Sequence, residues 1–201
     1  MGIGILGGTF DPVHIGHLVV AEEAGLQLGF REVIFVPTGQ PWLKVDRAVT
    51  ASAHRVEMVR RAIADNSRFS LSTEEVERGG PTYTVDTLAA FRRSFGSQDL
   101  YFIMGQDSFA DLPLWKDPER LVEMCRLVVV PRLGRGLLEL ESVAARVPRV
   151  RERVVELDAP VIGISSSDIR RRVSQGLPVR YLVPEVVEQY IREHRLYEGQ
   201  A

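Results

Sequence analysis

Four short apolar runs, Ile3 to Leu6, Val33 to Val36, Leu100 to Met104 and Leu127 to Val130, are separated by amphipathic stretches of helical period. Runs of that length and composition suit strands buried between two layers of helix. The stretches between them, Ile15 to Leu28, Ala51 to Ala64, Val85 to Phe95 and Glu119 to Cys125, read as helices. Strand alternating with helix implies a parallel sheet built from right-handed crossovers, so an α/β chain with a doubly wound parallel sheet is expected. Thr50 and Ser52 are placed to cap the second helix, and Gly96 to end the third in a left-handed conformation.

After Pro131 the pattern becomes helical again. A short apolar piece, Val161 to Ile164, precedes Ser165-Ser166-Ser167-Asp168, whose serines offer an N-cap to a helix over Ile169 to Val173. A last helix begins near Pro184 and runs towards His194. A chain of 201 residues, 45% hydrophobic, can bury one substantial core. One domain over 1–201 is expected, with a small C-terminal helical part from about 165 to 201.

In such a sheet, ligands bind outside the carboxyl ends of the strands, where the strand order reverses. A net charge of −2 and a pI near 6.1 give no general attraction to nucleic acid or to an anionic membrane, so neither is an expected partner. Phosphate binding must come from local groups. The single Cys125 cannot form an internal disulfide or a cysteine-based metal site alone. With no basic leader at Met1 and no apolar run of bilayer-spanning length, a cytoplasmic protein is expected. No feature points to an oligomeric state. Lys44 and Lys116 are the only lysines, and both follow a tryptophan closely, in Trp42-Leu43-Lys44 and Trp115-Lys116.

Gly2-Ile3-Gly4-Ile5-Leu6-Gly7 formally matches the dinucleotide fingerprint G-x-G-x-x-G, but here the glycines fall within the strand instead of in the turn after it. A phosphate-loop lysine motif is absent as well. The segment Gly7 to His17 is a better candidate, standing between the first strand and the first helix. Its paired glycines let main-chain N–H groups approach an oxyanion, and the helix start adds partial positive charge. His14 and His17, three residues apart near that start, face one side and can donate to phosphate oxygens. Bound polyphosphate would favour their charged forms. Two histidines at this spacing also suit a helix cap or a solvated face. Zinc would need further ligands, which His54, His194 and a lone cysteine do not obviously supply.

The stretch His14-Ile15-Gly16-His17 resembles the H-x-G-H signature of a nucleotidyltransferase superfamily built on a Rossmann-like sheet. Gly163-Ile164-Ser165-Ser166-Ser167-Asp168-Ile169-Arg170 is similar to that superfamily's second motif, I-S-S-x-x-I-R. The middle of the chain, Gly80-Pro81-Thr82-Tyr83-Thr84-Val85-Asp86-Thr87-Leu88 and Gly105-Gln106-Asp107-Ser108 followed by Leu112 to Lys116, looks like the bacterial nicotinate mononucleotide adenylyltransferases. The likeness runs over nearly the whole chain.

That resemblance implies transfer of AMP from ATP to nicotinate mononucleotide, giving the dinucleotide and pyrophosphate. Gly8, Thr9 and Phe10 would contribute main-chain contacts to ATP, His14 and His17 would hold its phosphates, Gly105 and Asp107 would lie beside the ribose and bridging phosphates, and Ser166 and Arg170 would grip the triphosphate tail. His14, His17 and Arg170 are the expected catalytic groups. Trp115 would stack on the pyridine ring, the N–H of Thr84 would receive its carboxylate, and Lys116 would add attraction for the acid form. Mg²⁺ would accompany ATP, held by phosphates and water. The family pattern P-x-x-x-P-H-K departs here to Pro37-Thr38-Gly39-Gln40-Pro41-Trp42-Leu43-Lys44, so Lys44 is the expected phosphate partner on that loop. Related transferases acting on phosphopantetheine, glycerol phosphate or a flavin precursor, and a non-catalytic nucleotide-binding regulator, are the competing readings.

Overall fold

The computed structural model describes residues 2–41, 49–131 and 139–199. In chain order its strands are β1 (Ile3–Gly8), β2 (Glu32–Pro37), β3 (Gln40–Pro41), β4 (Phe69–Leu71), β5 (Pro81–Thr82), β6 (Leu100–Gly105), β7 (Arg126–Val130) and β8 (Val154–Glu156). The helices are α1 (Ile15–Gln27), α2 (Ser52–Ala62), α3 (Glu74–Arg78), α4 (Thr84–Phe95), α5 (Gln106–Ala110), α6 (Pro118–Met124), α7 (Leu140–Ala144), α8 (Ser166–Ser174) and α9 (Glu185–Glu193). None of them is long and apolar enough to cross a membrane.

Six strands form one parallel sheet in the order β4-β2-β1-β6-β7-β8, and β3 pairs with β5 in a separate two-residue ladder. The chain winds outward from β1 to one edge, then returns to β6 beside β1 and winds to the other. This is the doubly wound, Rossmann-like order, with its reversal between β1 and β6. There Leu6 is paired with Phe35 on one side and Ile103 on the other.

Alternate residues of each strand enter opposite cores, which is why the strands read as continuous apolar runs. On one face Leu6, Phe35, Ile103 and Val128 pack with Ala21 of α1, Met58 of α2 and Val187 and Ile191 of α9. On the other, Ile5, Val36, Phe102 and Val129 pack with Leu88 of α4 and Leu121 of α6.

Local details differ from the sequence expectations. Ala51, not Thr50 or Ser52, occupies the N-cap of α2, and no side chain caps it. Thr50 instead turns its main-chain N–H to Asp11 Oδ2 at 3.2 Å. Gly96 does end α4 at positive φ (+58°), but with ψ of −121° and so outside the left-handed helical basin. The apolar piece Val161 to Ile164 has no regular secondary structure and lines a cleft. The helix expected from Ile169 begins earlier, at Ser166, with Ser165 Oγ accepting the Asp168 N–H at 3.0 Å.

Candidate active site

A cleft of about 530 Å³ opens at the reversal between β1 and β6. It is walled by the loop after β1, by Gly105 and Asp107 after β6, and by Ser166 and Arg170 on α8. A second lobe of about 200 Å³ shares Gly7, Gly8, Thr9, Phe102, Ser108 and Trp115 with the first, and continues to Thr84, Glu75 and Lys116. The two lobes meet at the phosphate-loop candidate and at Trp115.

The glycines ending β1 are required by packing as well as by ligand approach. A Cβ on Gly7 would stand 3.0 Å from the Phe102 ring, and one on Gly8 3.0 Å from the Phe10 ring. Phe10 adopts φ +48°, uncommon for a bulky residue, and is 2% exposed. Its ring lies edge-on to His17 (centroids 5.0 Å, 77°) and against Phe35. Burial of the ring leaves the Phe10 main chain as its contribution to the cleft.

His14 is the N-cap of α1, and His17 lies one turn on. Their rings stack at 3.7 Å with 26° between planes. The His14 main-chain N–H donates to His17 Nδ1 at 3.2 Å, so a capping role coexists with any role towards ligand. A neutral His17 accepting at Nδ1 carries its proton on Nε2. Gly16 makes the stack possible: a Cβ there would meet His14 Nδ1 at 3.1 Å. Burial lowers the His14 pKa to about 4 and lowers His17 well below its usual value, with the neighbouring His14 charge adding to the latter. Both rings are neutral in the free protein at pH 7. His14 Nδ1 and Trp115 Nε1 are buried without a hydrogen-bond partner among the described residues. The remaining histidines lie elsewhere: His54 Nδ1 is 2.9 Å from the Tyr190 hydroxyl, and the His54 and His194 rings are 5.2 Å apart.

The serine motif at α8 reaches back to the loop after β1. Ser166 Oγ donates to Pro12 O at 2.9 Å, and Arg170 Nη1 donates to Asp11 O at 2.6 Å. The I-S-S-x-x-I-R segment is thus bonded directly to the loop just before the H-x-G-H segment. Ser166 has its hydroxyl proton committed there, while Arg170, which lines the cleft, also contacts Ser167 Oγ at 3.4 Å.

In the smaller lobe, Trp115 stands edge-on to Phe102 (6.0 Å, 81°) and is packed at the edge of the core. Leu114 beside it is 55% exposed, so Trp115 is not simply one of a row of core anchors. Thr84 is the first residue of α4, where main-chain N–H groups lack helical acceptors. Lys116 Nζ sits 3.1 Å from Asp86 Oδ2 and 4.4 Å from the Tyr83 ring centroid, which holds its charge near the lobe. The structure thus brings together Gly8, Thr9, Phe10, His14, His17, Gly105, Asp107, Trp115, Ser166 and Arg170 along the larger lobe, and Thr84, Trp115 and Lys116 along the smaller. Lys44 lies outside the described residues.

Four further residues support this cleft and escaped the sequence reading. Asp11, 4% exposed, accepts the Thr50 N–H and, at 2.8 Å, the Tyr197 hydroxyl. Arg55 donates to three carbonyls, and Glu75 accepts from Thr87. Tyr197, Arg55 and Glu75 lie outside every motif, and Asp11, inside the Gly7 to His17 segment, is bonded to Thr50 and Tyr197.

The cytidylyltransferase-like family model matches residues 5–172. A relative from Thermomicrobium roseum, named as a probable nicotinate-nucleotide adenylyltransferase, is 47% identical over 97% of this chain and 91% of its own. A relative from Dehalococcoides mccartyi with the same name is 42% identical over 98% and 97%. Among solved structures, the Plasmodium falciparum nicotinic acid mononucleotide adenylyltransferase complexed with NaAD superposes with a TM-score of 0.79 at 22% identity, covering 98% of this chain and 97% of that one. The same enzyme complexed with APC gives 0.78. These likenesses agree with the architecture: the chain belongs to the nicotinate-nucleotide adenylyltransferase family of the cytidylyltransferase-like proteins.

Proposed function

We propose that the chain joins ATP and nicotinate mononucleotide by adenylyl transfer, with ATP in the larger lobe and the mononucleotide in the smaller. An oxygen of the mononucleotide 5′-phosphate attacks the α-phosphorus of ATP. The bond from that phosphorus to the bridging oxygen breaks, and pyrophosphate departs. The observation that carries this reading is the shared wall: both lobes are lined by Gly7, Gly8 and Thr9, so two phosphorylated ligands would meet at one set of main-chain donors.

The nucleophile is already an anion, so positioning and charge stabilisation do most of the catalytic work. His17 donates from Nε2, and His14 offers a buried ring whose Nδ1 lacks a partner among the described residues. Arg170 adds fixed positive charge. Gly105 and Asp107 lie beside the ribose and bridging phosphates, and Ser166 fixes the loop through Pro12 while its own N–H starts α8. Trp115 supplies a π-face to the pyridine ring, and the Thr84 N–H receives the ring carboxylate. Lys116 favours the acid form, and Lys44 is the partner proposed for the mononucleotide phosphate.

Among the described residues no three His, Cys, Asp or Glu side chains converge. Asp11 and Asp107 both line the larger lobe, and Asp11 accepts from Thr50 and Tyr197. This donor set fits Mg²⁺ carried chiefly on ATP phosphates and water, where the ion would neutralise charge on the departing pyrophosphate. Residues from about 165 onward are read as part of the same domain, since Ile169, Val187 and Ile191 enter the core of the sheet. Dependence on ATP supports a cytoplasmic location.

Pyrophosphate release measured with ATP, Mg²⁺ and a panel of phosphorylated acceptors tests the reading. Release with nicotinate mononucleotide is expected. Release only with another acceptor would favour a related transferase, and nucleotide binding without release would favour a regulator.

A further inference from the structure

Two buried charged side chains that belong to no motif, Arg55 of α2 and Glu75 of α3, converge on one glycine. Arg55 is 1% exposed and forks over three carbonyls: Nε donates to Thr50 O at 2.8 Å, Nη1 to Thr9 O at 2.8 Å and Nη2 to Gly39 O at 3.0 Å. Glu75 also lies against Gly39: a Cβ on Gly39 would collide with the Glu75 main-chain oxygen, and the Gly39 main chain helps hold the Glu75 carboxyl down against the effect of burial. Glu75 Oε1 also accepts the Thr87 hydroxyl at 2.7 Å.

Stability alone is a weak reason for this arrangement, because buried charges replaced together by apolar groups of similar volume often cost nothing. Directed bonds to main chain are what an apolar replacement cannot supply. Those bonds fall on the walls of the cleft. Thr9 belongs to the loop shared by both lobes, Gly39 follows Thr38 in the turn after β2, and Thr82 and Thr87 flank Thr84 in the smaller lobe. Thr82 further ties this wall to the turn by donating to Gln40 O at 3.2 Å.

We propose that Arg55 and Glu75 are positioning residues that, through Gly39, hold the acceptor wall in register with the phosphate loop. Glu75 acts on the acceptor side alone, whereas Arg55 also fixes Thr9 and therefore acts on both. The proposal rests on assigning the smaller lobe to the mononucleotide.

The test measures KM for nicotinate mononucleotide, kcat, and direct ATP binding in Glu75→Gln and Arg55→Lys. Glutamine keeps the shape but loses the charge, and lysine keeps the charge but loses the fork. Glu75→Gln is expected to raise the mononucleotide KM about tenfold with ATP affinity within about twofold, and Arg55→Lys to weaken both by about tenfold. A merely structural role would lower the active fraction, and hence kcat, without separating the two ligands. Equal effects of Glu75→Gln on both ligands, or on neither, would overturn the proposal. Should Glu75→Gln not fold, Thr87→Val removes the hydroxyl that Glu75 accepts and decides the matter by the same split. Wild-type pyrophosphate release is the control: its absence overturns the functional reading and this proposal together, whereas an active wild type with unsplit variants overturns this proposal only.

Discussion

The main-chain N–H of His14 donates to Nδ1 of His17 at 3.2 Å, which fixes the neutral His17 ring as the tautomer that donates from Nε2. A helix cap and the proposed phosphate donor are therefore the same residue. His17→Ala is expected to lower kcat by about 10²-fold or more, as removal of a donor to the transition state does. ATP binding should suffer less than turnover. Steady-state and binding measurements on the same variant check this, and unaltered turnover would remove His17 from the mechanism.

Both histidines are held neutral by burial, which gives the protein a signed response to pH. The folded pKa of His14, about 4, lies below its ordinary value of 6.5. The unfolded chain therefore binds more protons between those values, and this contribution to stability falls as pH drops from 6.5 towards 4. Glu75 acts in the opposite sense just above its ordinary value, because burial raises it. Bound polyphosphate brings negative charge to the rings and should raise their pKa values. Calorimetry of MgATP binding at about pH 6, in buffers of differing ionisation enthalpy, is expected to show proton uptake that His14→Asn diminishes. Release of protons would contradict the placement of phosphates against this pair.

Gly16→Ala separates helix stability from site geometry. Alanine within α1 would ordinarily stabilise the helix by about 0.5–1 kcal/mol. Here the added Cβ stands 3.1 Å from His14 Nδ1 and must displace the ring. Turnover is expected to fall about tenfold while unfolding free energy changes by no more than about 1 kcal/mol. Thermal melts beside kinetics provide the check.

Lys116 is half-exposed and already paired with Asp86, so its influence on a ligand carboxylate is screened. Lys116→Ala should narrow the ratio of kcat/KM for the acid over the amide mononucleotide by only a few-fold, roughly 3–10. An unchanged ratio would assign acid selectivity to the main chain near Thr84 instead.

The central strands were legible in the sequence because β1, β2, β6 and β7 are buried on both faces and read as unbroken apolar runs. The edge strands β4 and β8 were not. Each has three residues, and the burial of Phe69–Leu71 and Val154–Glu156 is at most partial, so neither carries a distinctive pattern. Val161 to Ile164 has strand-like composition, yet its apolar side chains line the cleft, with Val161 45% exposed. At the site, local motifs pointed to groups that line the cleft. The residues that hold those groups were hidden because Arg55 bonds carbonyls of Thr9, Gly39 and Thr50, and Asp11 bonds Tyr197 at the far end of the chain. Such partners exist only once the fold brings them together.

The most direct test of the account is a steady-state comparison of nicotinate and nicotinamide mononucleotides as acceptors of AMP from MgATP, followed by pyrophosphate release. The account predicts turnover with the nicotinate form and a higher kcat/KM for it than for the amide. No pyrophosphate with either mononucleotide, under conditions where ATP binds, would contradict it.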